Sequence, residues 1–145
     1  MKTIYDNLIK KIENLKDLPL LAMRIILAIG FYKPAMMKLK DIDAIAQWFE
    51  SMHYILPKFN AYLATFTETL GVGLLILGLG VRFISVPLLV TMLVAIATVH
   101  WGNGFEARNN GSEIPIYYML MLITLFINGG GKLSLDHIIA RKSRL

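Results

Sequence analysis

The distribution of apolar and polar positions along the chain predicts an all-α membrane protein. Four apolar runs, at residues 18–37, 59–79, 83–100 and 114–128, are separated by polar stretches. A helix that crosses a bilayer needs roughly 20 predominantly apolar residues. We therefore predict a single membrane domain over residues 1–145, built as a four-helix transmembrane bundle. Gly80, Val81 and Arg82 alone connect the second and third runs, which predicts a tight antiparallel hairpin.

Two further segments have the pattern of helices that lie on a membrane surface. At the N-terminus, Ile4, Leu8, Ile12 and Leu15 recur at helical spacing beside lysines, as in interfacial helices; a solvated leader is the alternative. Between the first two runs, Asp41 can cap a helix. Its apolar face would carry Ile42, Ile45, Ala46, Phe49 and Met52, and Pro57 would end the segment. We predict an amphipathic interfacial helix at each place.

Composition supports a lipid environment and excludes several kinds of site. Hydrophobic residues make up 56% of the chain, above the roughly 45–50% of soluble domains. The absence of cysteine excludes disulfides, iron–sulfur clusters and thiolate zinc sites within the chain, and we expect no metal site. The net charge is +5, but no basic stretch interleaved with aromatic residues suggests nucleic-acid binding. The lipid bilayer is the expected partner.

Basic residues outside the apolar runs predict the orientation. Nine lie on the side of both termini and the hairpin, and four lie on the opposite side. The side richer in lysine and arginine normally faces the cytoplasm. We therefore expect both termini to be cytoplasmic.

Glu68 is the only charged residue between Phe59 and Val81. A charge inside a bilayer costs a few kcal/mol, so it faces a partner, water or the bundle interior. At about 1.5 Å per residue, Arg24 lies roughly 9 Å above the cytoplasmic edge and Glu68 roughly 13 Å below the outer one. We predict a polar pocket in the outer half of the bundle, formed by Glu68, His100 and either Arg24 or Lys38. The alternative is a structural ion pair between the first two spans.

The aromatic and histidine residues near the outer edge have two interpretations each. An imidazole exchanges protons near neutral pH, so His100 can transfer protons or be an ordinary interfacial residue. Tyr117 can donate a hydrogen bond or belong to the aromatic belt that lines membrane interfaces.

Haem would need two axial ligands on facing helices, and neither His53 nor His137 pairs well with His100.

Several of these residues occur in an order that resembles the DoxX family of small bacterial membrane proteins. The resemblance covers about residues 18–138, with one departure, Ala35, where the family usually has glycine. The resemblance implies a four-helix bundle in the bacterial inner membrane. Some members of the family are similar to the quinone-reducing subunits of thiosulfate oxidation, and others are associated with superoxide dismutase and sulfurtransferase partners. The residues that carry it are Arg24, Lys38, Leu39, Glu68, Gly71, Gly78, Arg82, Ala95, His100, Asn103, Gly104, Phe105, the glycines at 129–131, Ser134 and Asp136.

Three functions are compatible with these observations. The first is a membrane subunit of a redox or oxidative-stress system. If the protein is an enzyme, this subunit would belong to a quinone-linked oxidoreductase. In that case Glu68 and His100 would move protons, Arg24, Lys38, Asn103 and Tyr117 would contact the quinone, and a partner would supply electrons. The second is a scaffold that recruits redox partner proteins. The third is a carrier or channel for a small solute. Four short spans are few for such a path, but a homo-oligomer could provide one.

Overall fold

The computed structural model describes residues 15–143, and every regular element among them is helical. The predicted N-terminal interfacial helix falls mostly on residues outside this range. The helices are α1 (Asp17–Lys40), α2 (Ile42–Ser51), α3 (Pro57–Leu77), α4 (Val81–Ala95), α5 (Glu113–Asn128) and α6 (Leu135–Lys142). A π-helical turn (Ile96–His100) and a 3-10 turn (Trp101–Asn103) extend α4, and another 3-10 turn covers Ala107–Asn109.

Three of the four predicted spans are helices long and apolar enough to cross a membrane: Asp17–Lys40, Pro57–Leu77 and Val81–Asn103. The fourth, α5, is apolar but has only 16 residues. We call the end of the bundle that contains Asp17 and Asn128 the lower end, and the end that contains Lys40 and Pro57 the upper end. The boundaries differ from prediction at the upper end, since α1 continues to Lys40 and Pro57 starts α3 rather than ending α2.

The core lies where α1, α3, α4 and α5 meet. Its fully buried side chains are Leu27, Phe31, Leu75, Val81, Leu88, Leu122 and Leu125. Other large apolar side chains on the same helices, such as Ile29, Phe66 and Phe83, point outward and are exposed. A bundle with apolar side chains both inside and outside has the surface that lipid requires.

Helix α2 packs against the start of α3. Asp41 caps α2 as predicted, because its carboxylate accepts a hydrogen bond from the Ala44 amide at 2.9 Å. Ala46 and Phe49 face Ala61 on α3 in a second apolar cluster. This packing turns the predicted apolar face of α2 toward the bundle and leaves Trp48 beside the upper half of α3.

The α3–α4 connection is the tight hairpin that the sequence predicts. Gly78 and Gly80 both have left-handed backbone conformations, with φ of 68° and 58°, which glycine adopts without a steric penalty. The carboxylate of Asp136 then accepts hydrogen bonds from the Gly80 and Val81 amides at 2.8 and 3.1 Å. A residue of α6 therefore caps the first turn of α4.

Candidate functional site

The buried Glu68 forms an ion pair with the partly buried Lys38. The Lys38 ammonium lies 2.6 Å from each carboxylate oxygen, and the two side chains are 17% and 3% exposed respectively. Lys38 is in the last turn of α1 and Glu68 is in the middle of α3. This pair supplies the partner that a carboxylate at this depth requires.

Arg24, the other expected partner of Glu68, makes its contacts at the lower end of the bundle. The predicted Arg24–Glu68 pair was therefore wrong. Its guanidinium donates hydrogen bonds to the carbonyls of Leu75, Ile76, Gly130 and Leu133 at 2.8–3.1 Å. Helical side chains lean toward the N-terminus of their own helix. Arg24 and Lys38 therefore lean downward on α1 while Glu68 leans upward on the antiparallel α3, so Glu68 meets Lys38.

Arg24 completes backbone hydrogen bonding at the lower end. The last four carbonyls of a helix have no partner within that helix, and Leu75 and Ile76 are near the end of α3. The Gly130 and Leu133 carbonyls belong to the non-helical connection between α5 and α6. Five guanidinium N–H groups suit this task, and Gly78 leaves room for it, since a Cβ there would lie 2.7 Å from the guanidinium carbon.

A cavity of about 790 Å³ opens beside the Lys38–Glu68 pair in the upper half of the bundle. Most of its lining is apolar, contributed by α1, α3, α4 and α5, and Trp48 and Phe49 of α2 form part of the wall. Tyr54 donates a hydrogen bond to the Thr98 hydroxyl at 2.9 Å, which ties the α2–α3 connection to the π-helical turn that extends α4. The polar groups are few and lie on different walls, which is typical of small-molecule sites.

His100 also lines this cavity, at the end of the π-helical turn. Its Nδ1 lies 2.7 Å from the carbonyl oxygen of Asn110. A carbonyl can only accept, so Nδ1 carries the proton and Nε2 of the neutral ring is an acceptor. Single π-helical turns within α-helices occur frequently at functional sites.

Two expected contact residues do not line the cavity. Asn103 donates hydrogen bonds to the carbonyls of Val99 and Asn110 at 3.0 and 3.2 Å, so it holds the upper connection in place. Tyr117 is half-exposed on α5 and donates to Glu113 at 3.1 Å.

The neighbouring Tyr118, which was not among the predicted contact residues, lines the cavity instead. It packs directly over Gly30 of α1, where a Cβ would overlap its ring. The helical repeat could have indicated this position. Tyr118 lies four and seven residues before the fully buried Leu122 and Leu125, so the three side chains share one face of α5.

The part of the chain that the structure describes contains no group of three or more histidine, aspartate or glutamate side chains placed to hold a metal ion. His100 is the one histidine in the cavity lining, and neither His53 nor His137 contributes to it. The cavity therefore presents an ion pair, an imidazole and several hydroxyl and amide groups to a mostly apolar space.

A DoxX family model matches residues 19–101, which include Arg24, Lys38, Glu68 and His100. The chain belongs to the DoxX family. A protein of Haemophilus influenzae described only as uncharacterized is 29% identical over 126 residues, covering 84% of this chain and 83% of that relative. No solved structure matches the chain.

Family membership together with three membrane-length helices identifies an integral membrane protein. The family match ends near the top of α4. The DoxX region therefore contains Arg24, Lys38, the Glu68 carboxylate and His100, whereas Tyr118 and the loop around Asn110 follow it.

Proposed function

We propose that this DoxX protein is a membrane subunit of a redox or oxidative-stress system that binds a quinone headgroup in the upper cavity. The observation that supports the proposal best is a mostly apolar cavity of about 790 Å³ with a buried ion pair in its wall. This volume lies within the roughly 300–1,000 Å³ of small-molecule sites. A quinone is likewise a mostly apolar molecule with a few oxygen atoms that need hydrogen-bond partners.

The hydrogen-bonding capacity of the two polar walls matches both redox states of such a ligand. Lys38 directs two contacts to the Glu68 oxygens, and an ammonium has three N–H donors. The remaining donor suits a quinone carbonyl. On the other wall, Nε2 of neutral His100 can accept from a quinol hydroxyl, because Nδ1 is held by the Asn110 carbonyl.

In this proposal Lys38, Glu68 and His100 hold the protons that accompany electron transfer. Reduction of a quinone to a quinol requires two electrons and two protons. Lys38 would deliver a proton to one oxygen, and His100 would deliver one to the other after taking up a proton from water at Nε2. Glu68 would keep Lys38 protonated until transfer. The chain has no cysteine, so a redox partner protein would supply the electrons.

We also propose that α5 is a fourth span, with both termini in the cytoplasm. Although α5 covers only about 24 Å at 1.5 Å per residue, it starts beside the upper loop and ends beside Arg82, whose guanidinium donates to the Ile127 carbonyl at 3.0 Å. The connection after α5 then supplies the carbonyls that Arg24 binds. Non-helical backbone at membrane depth is tolerated where protein groups satisfy it in this way.

Fluorescence titration with a short-chain benzoquinone or naphthoquinone tests the binding proposal. Trp48 lines the cavity and Trp101 does not, and these are the two tryptophans of the chain. In nanodiscs, Trp101→Phe should retain saturable quenching through Trp48. Trp48→Phe is the matched control and should lose most of that quenching. Equal, unsaturable quenching in both variants would exclude headgroup binding in this cavity.

A further inference from the structure

A second cavity, of about 540 Å³, lies at the lower end of the bundle. The start of α4, the end of α5 and the connection at residues 129–134 surround it. The apolar helices α1, α3, α4 and α5 all begin or end at this level. In a protein whose helices span the bilayer, such a level is expected to lie where the hydrocarbon layer meets the headgroups.

The charged groups around this cavity favour an anion. Arg82, Lys132 and His137 line it, together with Asp17 and Asp136. Both carboxylates have partners: Asp136 accepts from the Gly80 and Val81 amides at 2.8 and 3.1 Å, and Asp17 accepts from the Lys132 amide at 2.8 Å.

The basic side chains are less engaged than the acidic ones. Arg82 donates one hydrogen bond, to the Ile127 carbonyl at 3.0 Å, and within residues 15–143 no carboxylate forms a salt bridge with it. The Lys132 side chain is 60% exposed, and its ammonium lies 3.9 Å from the Asp17 carboxylate, at the limit of an ion pair. Two cationic groups with unused donors therefore face the cavity.

An apolar surface continues from the cavity along the outside of the bundle. Phe83 lines the cavity and is 86% exposed. On α5, Ile127 is exposed and directly precedes Asn128, which also lines the cavity. A small hydrophilic anion would make no use of this surface. The occupant that matches both features has an anionic phosphate and acyl chains.

We propose that the lower cavity binds the headgroup phosphate of an anionic phospholipid, with Arg82 as the principal contact and Lys132 as the second. The acyl chains would lie over Phe83 and along the outside of α4 and α5. Because this cavity lies at the opposite end of the bundle from the Lys38–Glu68 pair, the proposal does not depend on the proposed quinone site.

Native mass spectrometry of the detergent-solubilised protein, titrated with lipid, tests the proposal. Phosphatidylglycerol and phosphatidylcholine with identical acyl chains differ only in the headgroup. We expect phosphatidylglycerol to bind more tightly. Arg82→Gln should weaken its binding about fivefold, as expected for one basic residue at an anionic surface. Lys58→Gln removes the same charge near the upper end, where Lys58 faces Asp43 at 3.5 Å, and should leave binding unchanged.

A second variant and a second ligand make the result decisive. If Arg82→Gln does not fold, Lys132→Gln gives the same comparison with an exposed side chain. Equal affinity for the two lipids, or equal losses in Lys58→Gln and the lower-end variants, would overturn the proposal. Glycerol 3-phosphate has the anion without acyl chains. If it competes at the same concentration as phosphatidylglycerol, the site is for a soluble phosphate, and the lipid assignment is wrong.

Discussion

Replacing Lys38 by methionine should destabilise the bundle far more than replacing both members of its ion pair. In the structure Lys38 is the hydrogen-bond partner of both Glu68 oxygens, and the Glu68 side chain is 3% exposed. Lys38→Met leaves that carboxylate without a cation in a buried place. Breaking a buried pair from one side typically costs about 3–5 kcal/mol.

The double variant Lys38→Met/Glu68→Met separates pairing from packing. Replacing a whole buried ion pair by apolar side chains of similar volume is often neutral or stabilising. We therefore expect the free energy of unfolding of the double variant to lie within about 1 kcal/mol of that of the unsubstituted protein. Glu68→Met alone should cost less than Lys38→Met, because Lys38 is 17% exposed and its long side chain can reach water.

Unfolding in mixed micelles, titrated with sodium dodecyl sulfate and followed by circular dichroism, gives the four free energies of this double-mutant cycle. We expect a coupling energy of about 2–4 kcal/mol between Lys38 and Glu68. Residues in contact usually show coupling energies of about 0.5–3 kcal/mol, so this value lies at or slightly above the top of that range. The exposed pair Lys58–Asp43, at 3.5 Å, is the control and should give at most about 1 kcal/mol. If the effects of the two Met substitutions at Lys38 and Glu68 simply add, the buried-pair reasoning is refuted.

The lower-end network and the Tyr118 wall give three more predictions. Arg24→Lys should lower unfolding free energy by about 2–4 kcal/mol, because one ammonium cannot reach four separated carbonyls; an unchanged unfolding midpoint would contradict this. Asp136→Ala should cost about 1–2 kcal/mol through the lost cap and should speed hydrogen exchange at the two α4 amides, whereas unchanged exchange would rule out the capping role. In a thermal unfolding assay, Gly30→Ala should lower stability by about 1–3 kcal/mol through overpacking against Tyr118, while the control Gly73→Ala, which has open space around it, should not destabilise the protein.

Much of the fold could be predicted from the sequence because lipid imposes a simple requirement. Long apolar runs become helices, since every backbone polar group in the hydrocarbon layer must be satisfied internally. The need of Glu68 for a partner followed from the same argument. The span boundaries were less accurate at the upper end, where Lys38 and Lys40 lowered the local hydropathy although α1 continues through both.

The choice between Arg24 and Lys38 required information beyond depth along the helix. Counting residues placed both within reach of Glu68, but the lean of helical side chains toward the N-terminus favours Lys38. That rule was available from the sequence. The hydrogen bonds from Arg24 to the Gly130 and Leu133 carbonyls could not be predicted from the sequence. They depend on a connection that is more than a hundred residues away along the chain and packs beside Arg24 only in the folded protein.

Unused hydrogen-bonding capacity distinguishes the two buried polar clusters. Arg24 has five N–H donors and places four hydrogen bonds on backbone carbonyls, so almost nothing remains for a ligand. Glu68 has about four lone-pair sites, and its hydrogen bonds within residues 15–143 are the two from Lys38. The pair also borders a cavity, whereas Arg24 lines neither of the two described above. A buried charge whose capacity is filled by backbone serves the fold, and one with capacity left beside an open space is available for chemistry.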